Sequence, residues 1–304
     1  MVLDAIGGGR HAQSGEAQSV AESLSMVATN GHLIYSLLAL AALVPAAWLP
    51  LRATTGPGDD ATLTRRRLAP AFRGALAVAV AGPLIWTAAQ TGGTWHTGFS
   101  LALWVTVAVS VVAFAIVAAI TREGWRLAPL LMPYLLLLGL LATIWTRSGG
   151  EIVAGTPRIW VGAHIAAAVV TYALLTLAAI AGLSVLLQER ALKNKHPTRL
   201  TRSLPSVADS ESLQIRLLAT SAVVLGIGLV TGMAMEWLER GVLLVFDHKI
   251  LLSLLSFAVI CALLLAHYRT GMRGRRAARL VLLAYLLLTL GYPGVKFVTD
   301  VLLA

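Results

Sequence analysis

Long apolar stretches separated by short polar connections fill the chain from about residue 31 to its end. Most approach the length of about 20 residues that a helix needs to cross ~30 Å of hydrocarbon. Single helices satisfy their own backbone hydrogen bonds in lipid, so the pattern predicts an all-α fold, a transmembrane bundle of about eight helices. The eight stretches cover roughly residues 31–51, 72–90, 98–121, 127–146, 159–188, 213–238, 249–268 and 278–301.

Composition and segment order agree with a membrane protein. Hydrophobic residues make up 58% of the 304 positions, and charged residues only 12%, where a soluble domain carries about a quarter. The polar residues 1–30 are expected to form a loosely ordered tail or an amphipathic surface helix. Residues 31–304 form one transmembrane domain, with five helices in 31–188, a basic cytoplasmic linker in 189–212 and three helices in 213–304.

The distribution of basic residues predicts the orientation of the bundle. Of the 24 lysines and arginines, 18 lie in the connections after the first, third, fifth and seventh apolar stretches, and short cytoplasmic loops are enriched in these residues. Both chain termini are therefore expected outside the cytoplasm. The 18 residues are Arg52, Arg65, Arg66, Arg67, Arg73, Arg122, Arg126, Arg190, Lys193, Lys195, Arg199, Arg202, Arg216, Arg269, Arg273, Arg275, Arg276 and Arg279.

Charge and cysteine content exclude other classes of function. The net charge of +10 comes from short loops between apolar stretches, which is typical of orientation signals, so nucleic acid is not an expected partner. The linker 189–212 is expected to be solvated, and membrane lipid headgroups or a partner protein are the alternative contacts. The single cysteine, Cys261, excludes an intramolecular disulfide and a cysteine metal site within one chain.

The histidines are the residues most relevant to chemistry, because polar side chains in or near the membrane need a partner or a role. His267 follows His248 by 19 residues on the same predicted helix, so the two are about 28 Å apart and cannot bind one metal ion. His11 and His196 lie in the tail and the linker, whereas four histidines fall near the predicted outer surface: His32, His96, His164 and His248.

His164 and His248 form the candidate metal site. A lone histidine at either position is typical of packing, but both lie at the same predicted depth on different helices, and two imidazoles suit six-coordinate haem iron. Neutral imidazole is the ligating form, so acid below about pH 6 should weaken binding. Other residues at this level would contact the haem ring or its propionates, or serve as ordinary interfacial aromatics and cations: Trp160, Trp237, Arg158, Lys249 and Lys296.

The order of motifs from His164 onward resembles the cytochrome c assembly family of membrane haem-handling proteins, in its shorter HemX-like and YpjD-like branch. The matching features, from about residue 155 to 304, are WVGAHIAAAVVTYALLTLAAIAGLSVLLQER, RLLATSAVVLGIGLVTGMAMEWL, FDHKILLSLLSF, AHYRTGMRGRRAAR and GYPGVKFVTDVLL. The resemblance implies haem b bound outside a bacterial cytoplasmic membrane. It places His164 and His248 at external axial positions and His267 where larger members carry a membrane histidine.

Three hypotheses for function follow. The first is a haem-binding membrane protein that assists cytochrome c maturation or haem delivery, with assembly components or an apocytochrome as partners. The alternative is a permease-type component that moves a small solute, for which polar residues should cluster at the midplane, and the sequence offers few such residues. A third is a non-catalytic scaffold. No catalytic motif is found, so an enzyme is not predicted.

Overall fold

The described part of the molecule is helical. No β-strand occurs among the residues that the structure describes, and the predicted tail, residues 1–30, lies outside them. The computed structural model describes residues 31–52, 61–91, 98–145, 158–241, 248–294 and 297–298, without the side chains of 61–69, 158–160, 239–240, 248–249 and 292–293.

The helices correspond to the predicted apolar stretches. Seven of those in the described ranges are long and apolar enough to cross a membrane, which confirms the transmembrane bundle; the side of the membrane on which the termini lie stays a prediction. The eighth predicted stretch forms a 16-residue helix that continues as a π-helical turn, Leu290–Gly294. The helices are α1 Gly31–Arg52, α2 Ala61–Thr91, α3 Phe99–Ile120, α4 Ala128–Ile144, α5 Arg158–Asn194, the short α6 Arg199–Ser203, α7 Val207–Arg240, α8 His248–Thr270 and α9 Gly274–Thr289.

Local sequence signals explain several helix boundaries. The hydroxyl of Ser206 accepts a hydrogen bond from the Asp209 backbone N–H at 3.2 Å and caps the start of α7. At its other end, Gly241 adopts a φ of 67°, a left-handed conformation that terminates the helix with little strain. In α1, a turn at residues 42–43 precedes Pro45, which has no N–H to continue the helical hydrogen bonds.

Contacts at the two ends show that successive membrane helices alternate in direction. At one end, Arg275 at the start of α9 forms a 2.6 Å ion pair with Glu189 near the end of α5. At the other, Phe297 packs its ring against Phe99 at the start of α3 and Trp145 at the end of α4. We call the end at which α1, α3, α5 and α8 begin the outer end, after the charge-based prediction, and the opposite end the inner end.

Helix α5 is the central helix and α8 is peripheral. In the most apolar window of α5, 78% of residues are buried, compared with 17% in α8. Helix α5 contacts α3, α7 and α9, whereas α8 contacts α7 and α9. Among the described residues, α5 and α8 therefore lie on a diagonal of a four-helix arrangement in which α7 and α9 each touch both.

The predicted linker is partly folded against the inner end. Arg126 donates hydrogen bonds to the carbonyls of Ser203 and Arg202 at 2.9 and 2.8 Å, and the Gln188 amide donates to the carbonyl of Thr201 at 2.7 Å. Residues 192–199 are exposed, as expected of a solvated segment, while residues 203–205 are buried. The linker therefore joins α5 to α7 through an ordered turn containing α6.

Candidate functional site

The helix boundaries put both candidate ligands at the outer end. His164 lies in the second turn of α5, six residues after Arg158, and His248 is the first residue of α8. Since α5 and α8 both run inward from that end, both positions lie near it, and their common depth in the membrane stays a prediction. The His248 side chain lies outside the described residues, so its ligation of iron stays a prediction.

The imidazole of His164 is anchored to α7 through one nitrogen. Its Nδ1 lies 3.0 Å from the carbonyl oxygen of Gly228 and 3.4 Å from the hydroxyl oxygen of Thr231. That hydroxyl itself donates to the same carbonyl at 2.9 Å. Because a carbonyl only accepts hydrogen bonds, Nδ1 carries the proton. The neutral ring therefore keeps its lone pair on Nε2, which makes no hydrogen bond to any described residue.

A glycine on α7 makes room for this ring. A Cβ atom at Gly232 would lie 3.0 Å from Cε1 of His164, closer than nearly all contacts of this kind, whereas one at Gly228 would meet only the Cβ of Ala167 at 3.5 Å. The sequence pattern alone does not connect these glycines with His164. Small residues at these two positions allow α5 and α7 to approach closely, as in other membrane helix pairs.

The surface of α5 around His164 is open. Gly162, Ala163 and Ala166 are exposed and His164 itself is half-buried, whereas from Thr171 to Val185 the helix is almost entirely buried. The central helix of the bundle is therefore exposed at the outer end, as it also is at its solvated inner end from Leu192 to Asn194. Small side chains next to an accessible Nε2 leave space for a flat, bulky ligand.

These features fit the chemistry of haem ligation. A ligating histidine usually donates its second ring N–H to a carbonyl or carboxylate, which fixes the tautomer and orients the ring, and the bond from His164 to Gly228 does this. No group of three or more His, Cys, Asp or Glu residues able to hold a metal ion occurs among the described residues. Haem iron needs only two protein ligands because the porphyrin supplies the other four.

The remaining predicted contacts are resolved to different degrees. Trp237, near the end of α7, is 54% exposed, which suits an aromatic side chain at the membrane interface. Arg158, Trp160 and Lys249 lie on described helices, but their side chains are outside the described residues, and Lys296 is outside them altogether. Their contacts with haem stay predictions.

The histidines at the inner end have other surroundings. His267, in the last turn of α8, has its Nδ1 2.9 Å from the carbonyl oxygen of Met272, which lies beyond the helix. Nδ1 is again the donor, and the contact ties the connection between α8 and α9 to the helix end. His196 is exposed in the linker. Neither shares the surroundings of His164.

A cluster of hydroxyl groups that was not predicted from the sequence lies inside the bundle. Tyr134 on α4, Tyr172 on α5 and Tyr285 on α9 all contact one another through their hydroxyls, with 3.0 Å between Tyr172 and Tyr285 and 3.3 Å between Tyr134 and Tyr172. The Thr289 hydroxyl lies 3.3 Å from that of Tyr172. Three of the six tyrosines thus lie inside the bundle, and their positions within apolar stretches could have signalled the cluster.

We expect this tyrosine cluster to stabilise the fold. Tyr285→Phe should lower the free energy of unfolding in detergent by about 1 kcal/mol, because the substitution removes the shared hydroxyl and leaves its partners less satisfied. Tyr268→Phe, at an exposed position of α8, is the matched control and should change little. Denaturation curves of the purified variants provide the measurement, and equal stabilities for the two would contradict a stabilising role.

Comparison with known proteins identifies relatives of this chain. An uncharacterized 28.8 kDa protein of Azospirillum brasilense is 55% identical over 273 residues, covering 90% of this chain and 98% of that protein. Inner membrane protein YpjD of Escherichia coli (strain K12) is 27% identical over 193 residues, covering 61% of this chain and 69% of YpjD. Protein HemX of Brevibacillus brevis is 29% identical over 131 residues, covering 43% of this chain and 48% of HemX.

The family match extends further than the resemblance seen in the sequence. The family described as cytochrome C assembly protein matches residues 73–303, so it begins within α2 and includes both His164 and His248. It spans every helix from α3 to α9 and confirms the resemblance to this family that the sequence motifs indicated. The chain belongs to the cytochrome c assembly protein family.

Proposed function

We propose that this protein binds haem b at the outer end of its helix bundle and assists cytochrome c maturation or haem delivery there. His164 and His248 are the axial ligands in this proposal. The observation that carries it is the 3.0 Å hydrogen bond from Nδ1 of His164 to the carbonyl of Gly228. This bond leaves the lone pair on Nε2, which has no hydrogen-bond partner among the described residues. A histidine that only packs α5 against α7 has no need of an Nε2 without a hydrogen-bond partner.

The arrangement of helices supports a ligand held between α5 and α8. Among the described residues these helices have no extensive contact with each other, and α7 and α9 connect them. Direct packing of α5 on α8 would close the space between the two histidine positions. The diagonal placement instead allows a flat ligand to lie between them at the outer end, beside the small residues exposed around His164.

Several cations are available for the carboxylates of haem. In this proposal the propionates contact Arg158, Lys249 or Lys296, while Trp160 and Trp237 lie beside the porphyrin. Bound haem would supply the iron that the imidazoles coordinate. In this proposal the hydrogen bond to Gly228 orients the imidazole of His164. The cations hold the haem propionates at the polar surface, and the tryptophans keep the porphyrin in the apolar layer.

Family membership supports the biological setting. The family is described as cytochrome C assembly protein, and the similar YpjD is named as an inner membrane protein. We therefore infer a bacterial cytoplasmic membrane location and a role in handling haem for assembly components or an apocytochrome. Co-purification of other proteins with the haem-loaded form would identify the partner that receives the haem.

Haem titration of the purified full-length protein tests the proposal. We expect an equimolar, saturable rise of a Soret band with the spectrum of a low-spin, six-coordinate iron, because two imidazoles occupy the axial positions. Acidification should reverse the spectrum, since a protonated imidazole has no lone pair for iron. Titration without saturation, or a spectrum identical to haem in detergent alone, would refute haem binding by this protein.

A further inference from the structure

A second cavity lies at the outer end, between α1 and α2. The two helices cross closely at Gly82, where a Cβ atom would lie only 2.8 Å from the Cβ of Ala42. On the outer side of this crossing the helices line an open cavity of about 620 Å³, within the range of about 300–1,000 Å³ typical of small-molecule sites. The family match begins at residue 73, so the half of the cavity that α1 lines lies outside the matched region.

The cavity has a flat aromatic wall. The rings of Tyr35 and Trp86 stack with centroids 5.9 Å apart and an angle of 29° between their planes. The imidazole of His32 meets the same indole edge-on, with centroids 5.4 Å apart. All three side chains line the cavity. Trp86 is buried against these rings, whereas Tyr35 is 59% exposed. Offset stacking is the favoured contact between flat rings, so the exposed ring of Tyr35 suits a planar group.

The polar groups of the cavity suit an uncharged ligand. His32 and Tyr35 are both exposed, and neither the imidazole nor the phenol hydroxyl has a hydrogen-bond partner among the described residues. The imidazole can donate or accept a hydrogen bond, as can the hydroxyl. No charged residue of the described ranges lines the cavity, so the phosphate of a phospholipid headgroup would find no cation among them.

The cavity is open to the lipid. Ile85 and Leu38 line it and are 69% and 61% exposed, and in a membrane-spanning bundle such apolar faces contact acyl chains. A ligand can therefore enter sideways from the outer leaflet with its apolar tail in the lipid. Its headgroup would reach His32, in the first turn of α1, at the level of the interface.

We infer that this cavity binds a lipid-soluble molecule with a planar, uncharged headgroup that bears carbonyl or hydroxyl oxygens, of the isoprenoid-quinone class. The aromatic wall receives the ring, and His32 and Tyr35 bond its oxygens. The apolar residues toward the helix crossing hold the beginning of the tail. The site is separate from the haem ligands and does not depend on the proposed haem function.

Binding of decylubiquinone to the purified full-length protein, measured by calorimetry in an uncharged detergent, tests this inference. We expect saturable binding of one molecule per chain. Ala89→Phe should abolish it, because residue 89 lines the cavity and the new ring would fill it. Ala88→Phe is the matched control, since residue 88 is equally exposed but does not line the cavity, and it should bind as the wild type does.

Substitution of the imidazole tests the polar contact. His32→Ala should weaken binding about tenfold, the loss expected for one hydrogen bond, while Leu33→Ala at the neighbouring exposed position should leave it unchanged. Equal binding by Ala89→Phe and Ala88→Phe would overturn the inference. So would displacement of the quinone by decane or phosphatidylglycerol at matched concentration, which would identify a slot for acyl chains.

The same variants separate this site from the haem site. His164→Ala should bind decylubiquinone as the wild type does, and Ala89→Phe should keep the wild-type haem titration. Loss of quinone binding in Ala89→Phe with normal haem binding supports this site whether or not the haem proposal holds. Loss of both ligands in that variant would instead indicate a shared site and overturn the assignment.

Discussion

Replacing both candidate axial ligands should abolish haem binding. The His164→Ala, His248→Ala double variant is expected to show no saturable Soret band, because no imidazole remains at the outer level of α5 or α8 to coordinate iron. Each single variant should retain one ligand, change to a high-spin spectrum and bind haem at least 10- to 100-fold more weakly, the loss already seen when only a supporting residue of a metal ligand is removed. Absorbance titration of the four proteins provides the measurement.

Two controls make this result specific. His196→Ala, in the exposed part of the linker at the inner end, should titrate as the wild type does. Free imidazole added to His164→Ala should restore the low-spin spectrum, because the open surface around residue 164 admits a small ligand. A double variant with the wild-type Soret band would exclude the proposed pair. If His164→Ala weakened haem binding and His248→Ala did not, His248 would be excluded as the second ligand.

The second large effect is expected from a single methyl group on α7. Gly232→Ala should weaken haem binding by about 10- to 100-fold although it removes no ligand, because disturbance of the groups that orient a metal ligand costs this much. Its Cβ would lie 3.0 Å from Cε1 of His164. The ring must then shift while Nδ1 is held by the Gly228 carbonyl, so Nε2 no longer points in its original direction.

Gly228→Ala is the matched control for this prediction. Its Cβ would meet Ala167 at an ordinary distance of 3.5 Å, and the backbone carbonyl that accepts the bond from His164 is unchanged. Both substitutions favour the helix by about 1 kcal/mol relative to glycine, so helix propensity does not distinguish them. Haem affinities measured side by side decide the matter, and equal affinities for the two variants would show that Gly232 does not position the ligand.

The structure also bears on the permease alternative. The sequence suggested few polar residues at the midplane, and the tyrosine cluster adds three to that number. The tyrosine hydroxyls bond to one another, whereas the buried hydroxyls of Ser110 and Thr171 have no hydrogen-bond partner among the described residues. Polar groups that satisfy one another do not line a solute path, so the cluster gives no support to transport. A flux assay in proteoliposomes with candidate solutes would test this directly.

The pattern of the sequence was sufficient for the architecture. Runs of apolar residues long enough to cross the hydrocarbon layer can satisfy their backbone hydrogen bonds only as helices. The ends of seven spans could therefore be predicted to within six residues, whereas the predicted stretch 278–301 extends well beyond the end of α9 at Thr289. The family could likewise be recognised from the histidine-bearing helices. The separation of His248 from His267 along one helix followed from the rise per residue alone.

The sequence could not show which side chains meet. The choice of tautomer at His164 depends on the Gly228 carbonyl, 64 residues later in the chain. The tyrosine cluster joins positions on α4, α5 and α9, and the cavity between α1 and α2 depends on where these two helices cross. Periodicity assigns a residue to a helix face, but the neighbour of that face is set by the packing of the whole bundle. The sequence thus determined the spans and the family, and only the tertiary structure decided the contacts of the site.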